Sequence, residues 1–526
     1  MNSSTPPHRP LGLYAGLLVL ALAGLLAQRY ATTWGGGVSP DSTQYIEGAR
    51  NLLRGEGISS PDGAGTSTPI TLWPPLVSVL LAAPGLLGVE PAEAGRWLTG
   101  LLFGANILLM GHVLAHATRN SVIAAWTGGA LMLLSPDLFE VHTWIWSEPL
   151  FILLSLAGCA LLAAFLERPS ACGFWAAAAF ACLAGLTRFA GAALGLGGMG
   201  LILGFARISS IRRRAAAAAG FGLVSLGPLA LWMLRSALIA GSATTRELGF
   251  RRLYSVHFLP GLETAAAWLF PGGAHSLLRV AVLAVFLLAL LWSGARYLKA
   301  QHSARPDSNS LQLLPHSLIG FLVSYGAVLL FSKYFVDPFF PLDDRILSPA
   351  LGALILLAVM LWHSELRRAA HLASSRVRPR AVRTLLAVLV LAQLGLSARQ
   401  SAAWAATAHE KGLGFNSRSW QDSPLVDFVA ALPPDAVIYS NADDGLLFST
   451  GHPAWRLPAA SSSDPPAWPA QVQERLGLGE AYVVYFDAIT WRDLVTPGDL
   501  QRHFAVEALL QTEEGEVLQF SPNTEE

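Results

Sequence analysis

Charge is what this chain most lacks. Of its 526 residues, 13% are charged, against about 25% in an ordinary soluble protein. A water-soluble surface of that size cannot be built from so few charges, so one large soluble enzyme is excluded. Lysine is nearly absent, confined to Lys299, Lys333 and Lys411. Formal net charge is +0 and the basic residues form no long patch-like run, which excludes a nucleic-acid-binding role. The apolar share of 53% excludes disorder. Cysteine is scarce as well. Cys159, Cys172 and Cys182 lie in apolar stretches, without metal-binding spacing or a disulfide framework, and read as small packing residues. There is no internal repeat and no glycine-rich phosphate loop.

Long apolar runs are abundant. A helix crossing a bilayer needs about 20 mostly apolar residues. Candidates lie at 11–29, 97–117, 120–136, 148–166, 216–238, 277–297, 313–332, 346–363 and 384–398. The stretch 172–206 is too long for one span and carries Arg188 near its middle, so it reads as two spans turning there. The expected total is about eleven. The first run follows Arg9 as a signal peptide would, but it continues past Ala21 and Ala23, which favours an uncleaved span.

Arginine sets the orientation. With the N-terminus inside, the loops holding Arg119, Arg168, Arg207, Arg212, Arg213, Arg214, Lys299, Arg305, Arg367, Arg368, Arg376, Arg378 and Arg380 all fall on the inner side. Leu72 to Gly88 would break that parity if it crossed. It is short, opens with Trp73-Pro74-Pro75 and contains Pro84. It is expected to be an embedded or interfacial helix on the outer side, an ordinary kinked span being the alternative. After about Gln400 the sequence becomes polar and mixed, with strand-like runs at Ala436–Ser440, Tyr482–Phe486 and Glu516–Phe520 and helix-like stretches at Pro424–Leu432 and Pro469–Leu476. The expected fold is an all-α polytopic membrane domain over residues 1–400 with a small extracytoplasmic α/β domain over 401–526.

Charges near spans are costly and so draw attention. The first outer loop, Asp41-Ser42-Thr43-Gln44-Tyr45 onward to Gly55, spaces Tyr45, Ala49, Leu52 and Leu53 as one helical face. Asp41 with Gln44 three residues on also fits a capping box. In the second, Ser147 suits a helix cap, with Glu148 at the positive end and Pro149 in the first turn. His142, beside tryptophans, reads as structural. Arg188 sits between two apolar spans, free to snorkel or to act as a fixed cation. Lys333, then Asp343-Asp344-Arg345, mark another outer junction, where Asp343 and Asp344 suit a helix start and Arg345 opposes its dipole.

The segments DSTQYIEGARNLLRG, WPPL, SEPLF, LTRFAG and DDRILSPALG, in that order over about residues 41 to 352, resemble the GT-C superfamily of membrane glycosyltransferases. The closest likeness is to the glycosyltransferase family 39 group, which includes protein O-mannosyltransferases and the lipid A aminoarabinose transferase. Trp73 stands where some relatives carry a basic residue, and Ser42 follows Asp41 where many have a second acid. The resemblance implies an enzyme of the cell (inner) membrane. It would move a monosaccharide from a polyprenyl-phosphate donor to a lipid, glycan or protein acceptor on the extracytoplasmic side, among membrane lipids. Asp41 matches the essential acid and is the candidate base. Arg188 and Arg345 are candidate phosphate clamps, with Lys333 a weaker one. Glu148, Tyr45 and Asp344 complete the expected substrate-binding set. Asp41 and Glu148 are the candidate ligands should a divalent cation, Mg²⁺ or Mn²⁺, be used. All are expected to meet in one non-cytoplasmic pocket. The competing readings are a multi-span transporter or lipid flippase, and a receptor whose tail binds a partner.

Overall fold

The computed structural model describes residues 11–243, 248–269, 275–301, 311–372, 377–460, 468–476, 481–490 and 494–521. By compactness it divides into two units: Met1–Ala31, Thr71–Val77 and Trp97–His409 form the first, and Thr32–Ile70, Ser78–Arg96 and Glu410–Glu526 the second.

The first unit is helical. Among the described residues seven helices are long and apolar enough to cross a bilayer: Leu11–Ala31, Pro91–Ala117, Glu148–Glu167, Ile211–Ala240, Ser276–Lys299, Leu314–Phe335 and Asp344–Arg368. An eighth arises if Val122–Leu134 and Pro136–Thr143, bent by 58° at the break between them, count as one span. The expected eleven is not reached on length and apolarity. The run 120–136 breaks because Pro136 opens a new helix after Ser135. The stretch 172–206 does split at Arg188, but into helices of 17 and 14 residues, Ala171–Thr187 and Ala192–Phe205. The run 384–398 falls within a 35-residue helix, Val377–Lys411.

Small residues bring these helices close. Ala177, Ala178, Ala181 and Ala184 are buried along one helix, which packs against Glu148–Glu167 and Ile211–Ala240. Large apolar side chains such as Leu223, Leu231, Val285 and Leu291 stay exposed, as expected where lipid rather than water is the solvent.

The second unit holds a five-stranded sheet in the order Trp455–Arg456, Ile438–Ser440, Ala481–Phe486, Gly515–Ser521, Ala505–Thr512. The first three strands run parallel and the last two antiparallel to their neighbours. Tyr439, Trp468, Val472, Val483, Leu518 and Phe520 form its core. The three strand-like runs of the tail are therefore strands, and Pro424–Ala430 and Trp468–Leu476 are helices. Ala505–Thr512 was not foreseen. Also in this unit are a hairpin, Ser59–Pro61 with Ser67–Pro69, and the helix Pro40–Arg54. The helix after the Pro-Pro pair, Leu76–Gly85, has ten residues. At about 1.5 Å per residue it is half the length a bilayer core requires.

Candidate functional site

In the first unit the chain gathers Ser147, Glu148, Arg188 and Arg345 from three separate segments. Glu148 opens its helix, with Pro149 in the first turn, and its side chain is 0% exposed. A carboxylate there demands cations, and two are supplied. Arg188 forms an ion pair with Glu148 Oε1, and Arg345 Nε donates to the same oxygen at 2.6 Å. Arg188 Nη1 also donates to Ser147 Oγ at 2.8 Å, and that hydroxyl donates to Glu148 Oε2 at 3.2 Å. Ser147 thus serves the cluster and makes no side-chain cap bond to its helix, contrary to the capping expectation.

Each cation is positioned by local structure. Arg188 ends Ala171–Thr187 in extended conformation, φ −149° and ψ 142°. The chain then makes a tight 3-10 turn, Phe189–Gly191. A Cβ on Gly191 would strike the Ala184 carbonyl and the Gly185 nitrogen, so only glycine lets the turn fold back here. Arg345 stands in the first turn of Asp344–Leu372. Asp343 is the acid that starts this helix, accepting from Ile346 N at 2.9 Å. Burial holds its carboxyl above the usual carboxylate range, opposed by the Ile346 hydrogen bond. Arg345 lies over the Trp146 ring at 4.5 Å, and Trp146 stacks on Trp144 at 4.8 Å. That backing was not recognised in the sequence. Its signal was the Trp-Ile-Trp spacing just before Ser147, which points both rings the same way in extended chain.

Two guanidiniums flank the one buried carboxylate, and the Asp343 carboxylate is close enough to act on Arg345 and Glu148. Arg188 and Arg345 keep 15% and 21% of their side chains exposed, so the cluster is held from within and presents cationic edges outward. It suits a phosphate.

Other expected residues sit apart from it. Lys333 is buried. Its Nζ donates to Pro338 O at 3.0 Å and Phe340 O at 2.9 Å, which ties the loop after its helix. Asp344 begins the helix carrying Arg345. His142 is structural: Asn106 Nδ2 donates to its Nε2 at 3.0 Å, and its Nδ1 donates to Leu138 O at 2.5 Å.

Asp41 and Tyr45 belong to the second unit. The helix cap there is Ser39, which accepts from Ser42 N at 3.4 Å. Pro40 takes the first helical position and Asp41 the first turn, so Asp41 complements the helix dipole without capping. Gln44 does not close a capping box either. It donates to Asp444 Oδ1 at 2.9 Å. Tyr45 is 2% exposed and packs inward.

Glu148 does not fit a divalent cation. Both its oxygens are engaged, and two guanidiniums repel a dication from it. Among the described residues no group of three or more His, Cys, Asp or Glu is arranged to hold a metal.

No protein-family model matches the sequence, and no curated protein matches it either. Solved structures do. ArnT from Cupriavidus metallidurans in the apo state superposes with a TM-score of 0.57 at 18% identity, over 96% of this chain and 98% of that one. The same protein bound to undecaprenyl phosphate gives 0.56 at 16% identity, over 95% and 97%. The Archaeoglobus fulgidus oligosaccharyltransferase in the apo form gives 0.53 at 12% identity, over 90% of this chain and 69% of that one. The chain shares the fold of these solved structures, and its long apolar helices mark it as a multi-pass membrane protein.

Proposed function

We propose that this protein is a membrane glycosyltransferase. It would take a sugar from a polyprenyl-phosphate donor and place it on a hydroxyl of a lipid, glycan or protein acceptor, on the extracytoplasmic side of the cell membrane. The observation that carries the reading is the Arg188–Glu148–Arg345 cluster in a fold shared with ArnT, one of whose structures holds undecaprenyl phosphate.

The chemistry follows from the leaving group. As the bond between the anomeric carbon and the phosphate oxygen breaks, negative charge grows on the phosphate. Arg188 and Arg345 meet that charge without reorganising, because Glu148, Ser147 and Trp146 already hold them. Glu148 is then a positioning residue, keeping two like charges side by side. The acceptor oxygen forms the new bond to carbon, and its proton passes to a carboxylate. Asp41 is assigned that role. Lys333, tied to backbone carbonyls, is assigned to structure.

The test uses the full chain in proteoliposomes with a radiolabelled polyprenyl-phosphate sugar and a membrane extract as acceptor source. Wild type is expected to transfer label. Asp41→Asn should abolish transfer at normal protein level, and Arg188→Ala should raise the donor concentration needed about tenfold or more. Uptake into vesicles without transfer would establish a transporter instead. An unchanged donor dependence in Arg188→Ala would remove the clamp.

A further inference from the structure

The second unit contains a cleft that the sugar-transfer chemistry above does not use. Four short segments wall it: Gln44 from the Pro40–Arg54 helix, Asp62 from the hairpin tip, Asp443 and Asp444 from the start of the Asp443–Thr450 helix, and Trp455 and Arg456 from the edge strand. Its volume is about 190 Å³, below the roughly 300–1,000 Å³ typical of sites for drug-sized ligands. That is room for one ring, not a chain.

The lining is rigid and already ordered. Arg456 Nε donates to Asp443 Oδ1 at 2.9 Å and its Nη2 to Asp444 Oδ2 at 2.7 Å. Asp444 Oδ1 accepts from Gln44 at 2.9 Å. Asp62 accepts from Ala64 N and Thr66 N at 3.0 and 2.9 Å, which fixes the hairpin tip. The Trp455 ring is gripped, with the Arg475 guanidinium 4.0 Å from its centroid. Gly63 rests so close to that ring that any Cβ would collide with it. Little entropy is left to lose when a ligand enters.

The chemistry selects the ligand. Carboxylates, an amide and a guanidinium, fixed around a small cleft, match the hydroxyl groups of a sugar. Three acids stand against one arginine in the lining, so the residual charge is negative and repels phosphate or carboxylate. The position is also telling. Gln44 is one turn along its helix from Asp41 and shares its face, and the charge of Asp41 is felt at Asp444.

We propose that this cleft is the subsite for a single non-anionic sugar ring of the acceptor, seated beside Asp41. This rests on the glycosyltransferase reading above. It identifies the acceptor as a glycan or a glycosylated molecule whose terminal ring carries no acidic group at the point of capture.

Binding is measurable without any donor. Full-length protein in nanodiscs is titrated with methyl glucoside, methyl galactoside, methyl mannoside, glucosamine and glucose 6-phosphate, and occupancy is read by saturation-transfer NMR. At least one non-anionic ring should bind saturably and glucose 6-phosphate should not. Asp443→Asn and Gln44→Ala should each weaken that binding about tenfold, measured at a temperature where each variant is shown to be folded by its own melting curve. The proposal is overturned if no ring binds, if the phosphate binds as well as the rings, or if both variants bind like wild type. Because the assay contains no donor, intact transfer without ring binding removes the subsite alone. Ring binding without any transfer removes the glycosyltransferase reading alone.

Discussion

A buried acid beside a second acid titrates late. Asp444 is 6% exposed, and burial, reinforced by the charge of Asp443, pushes its carboxyl up from 3.8 to about 7 despite Arg456 and Gln44. Its pKa is thus higher folded than unfolded. Between pH 3.8 and about 7 the folded state retains a proton that the unfolded chain has released. Stability therefore falls as pH rises through that window and levels off above it. The full effect is on the order of 4 kcal/mol. Melting of the full-length protein should be higher at pH 5 than at pH 8, and Asp444→Asn should flatten most of that difference. An equal slope in the variant would assign the pH dependence elsewhere. At this scale the sequence was legible in part. Glu148, Arg188 and Arg345 stood out because charge beside an apolar run is expensive, and they do meet. Capping, which the sequence left open for Asp41 beside its candidate base role, falls to Ser39, and the cue was present: Pro40 suits the first helical position. The partners Gln44–Asp444 and Asp443–Arg456 could not be foreseen, since nothing local in a sequence pairs positions 44 and 444.

Elements position these residues, and the tightest of them is the turn Phe189–Gly191. The obstacle at Gly191 is backbone, the Ala184 carbonyl, which cannot rotate aside. Gly191→Ala should therefore destabilise the protein by about 1–3 kcal/mol and raise the donor concentration needed for transfer, because Arg188 sits at the entrance of the turn. Thermal unfolding and a donor titration check both. A variant matching wild type in both would show that the turn does not set Arg188. Helices with clear proline and apolar signals were readable, as at Glu148–Glu167 and Leu76–Gly85. Ala505–Thr512 was not. Its Ala, Glu, Leu and Gln favour helix, and the strand exists because it pairs with Gly515–Ser521 across a tight turn, a tertiary effect that overrides propensity.

At the scale of the molecule, composition was the most informative feature. Few charges and many apolar runs required a membrane protein, and the helices long enough to cross a bilayer follow from that. The grouping of Thr32–Ile70 and Ser78–Arg96 with the tail beyond Glu410 was not legible, because compactness depends on contacts between segments far apart in the chain.

The scarcity of lysine has a practical side. Lys299 and Lys411 are exposed, while the Lys333 amine is enclosed and bound to two carbonyls. An impermeant amine-reactive reagent therefore has two lysine targets among the described residues, and the orientation proposed from the arginine-rich loops would put one on each face of the bilayer. Added to sealed spheroplasts, it should mark Lys411 at once and Lys299 only after permeabilisation, with peptide mapping as the readout. Early marking of Lys299 would invert the orientation, and with it the side on which the transferred sugar is delivered.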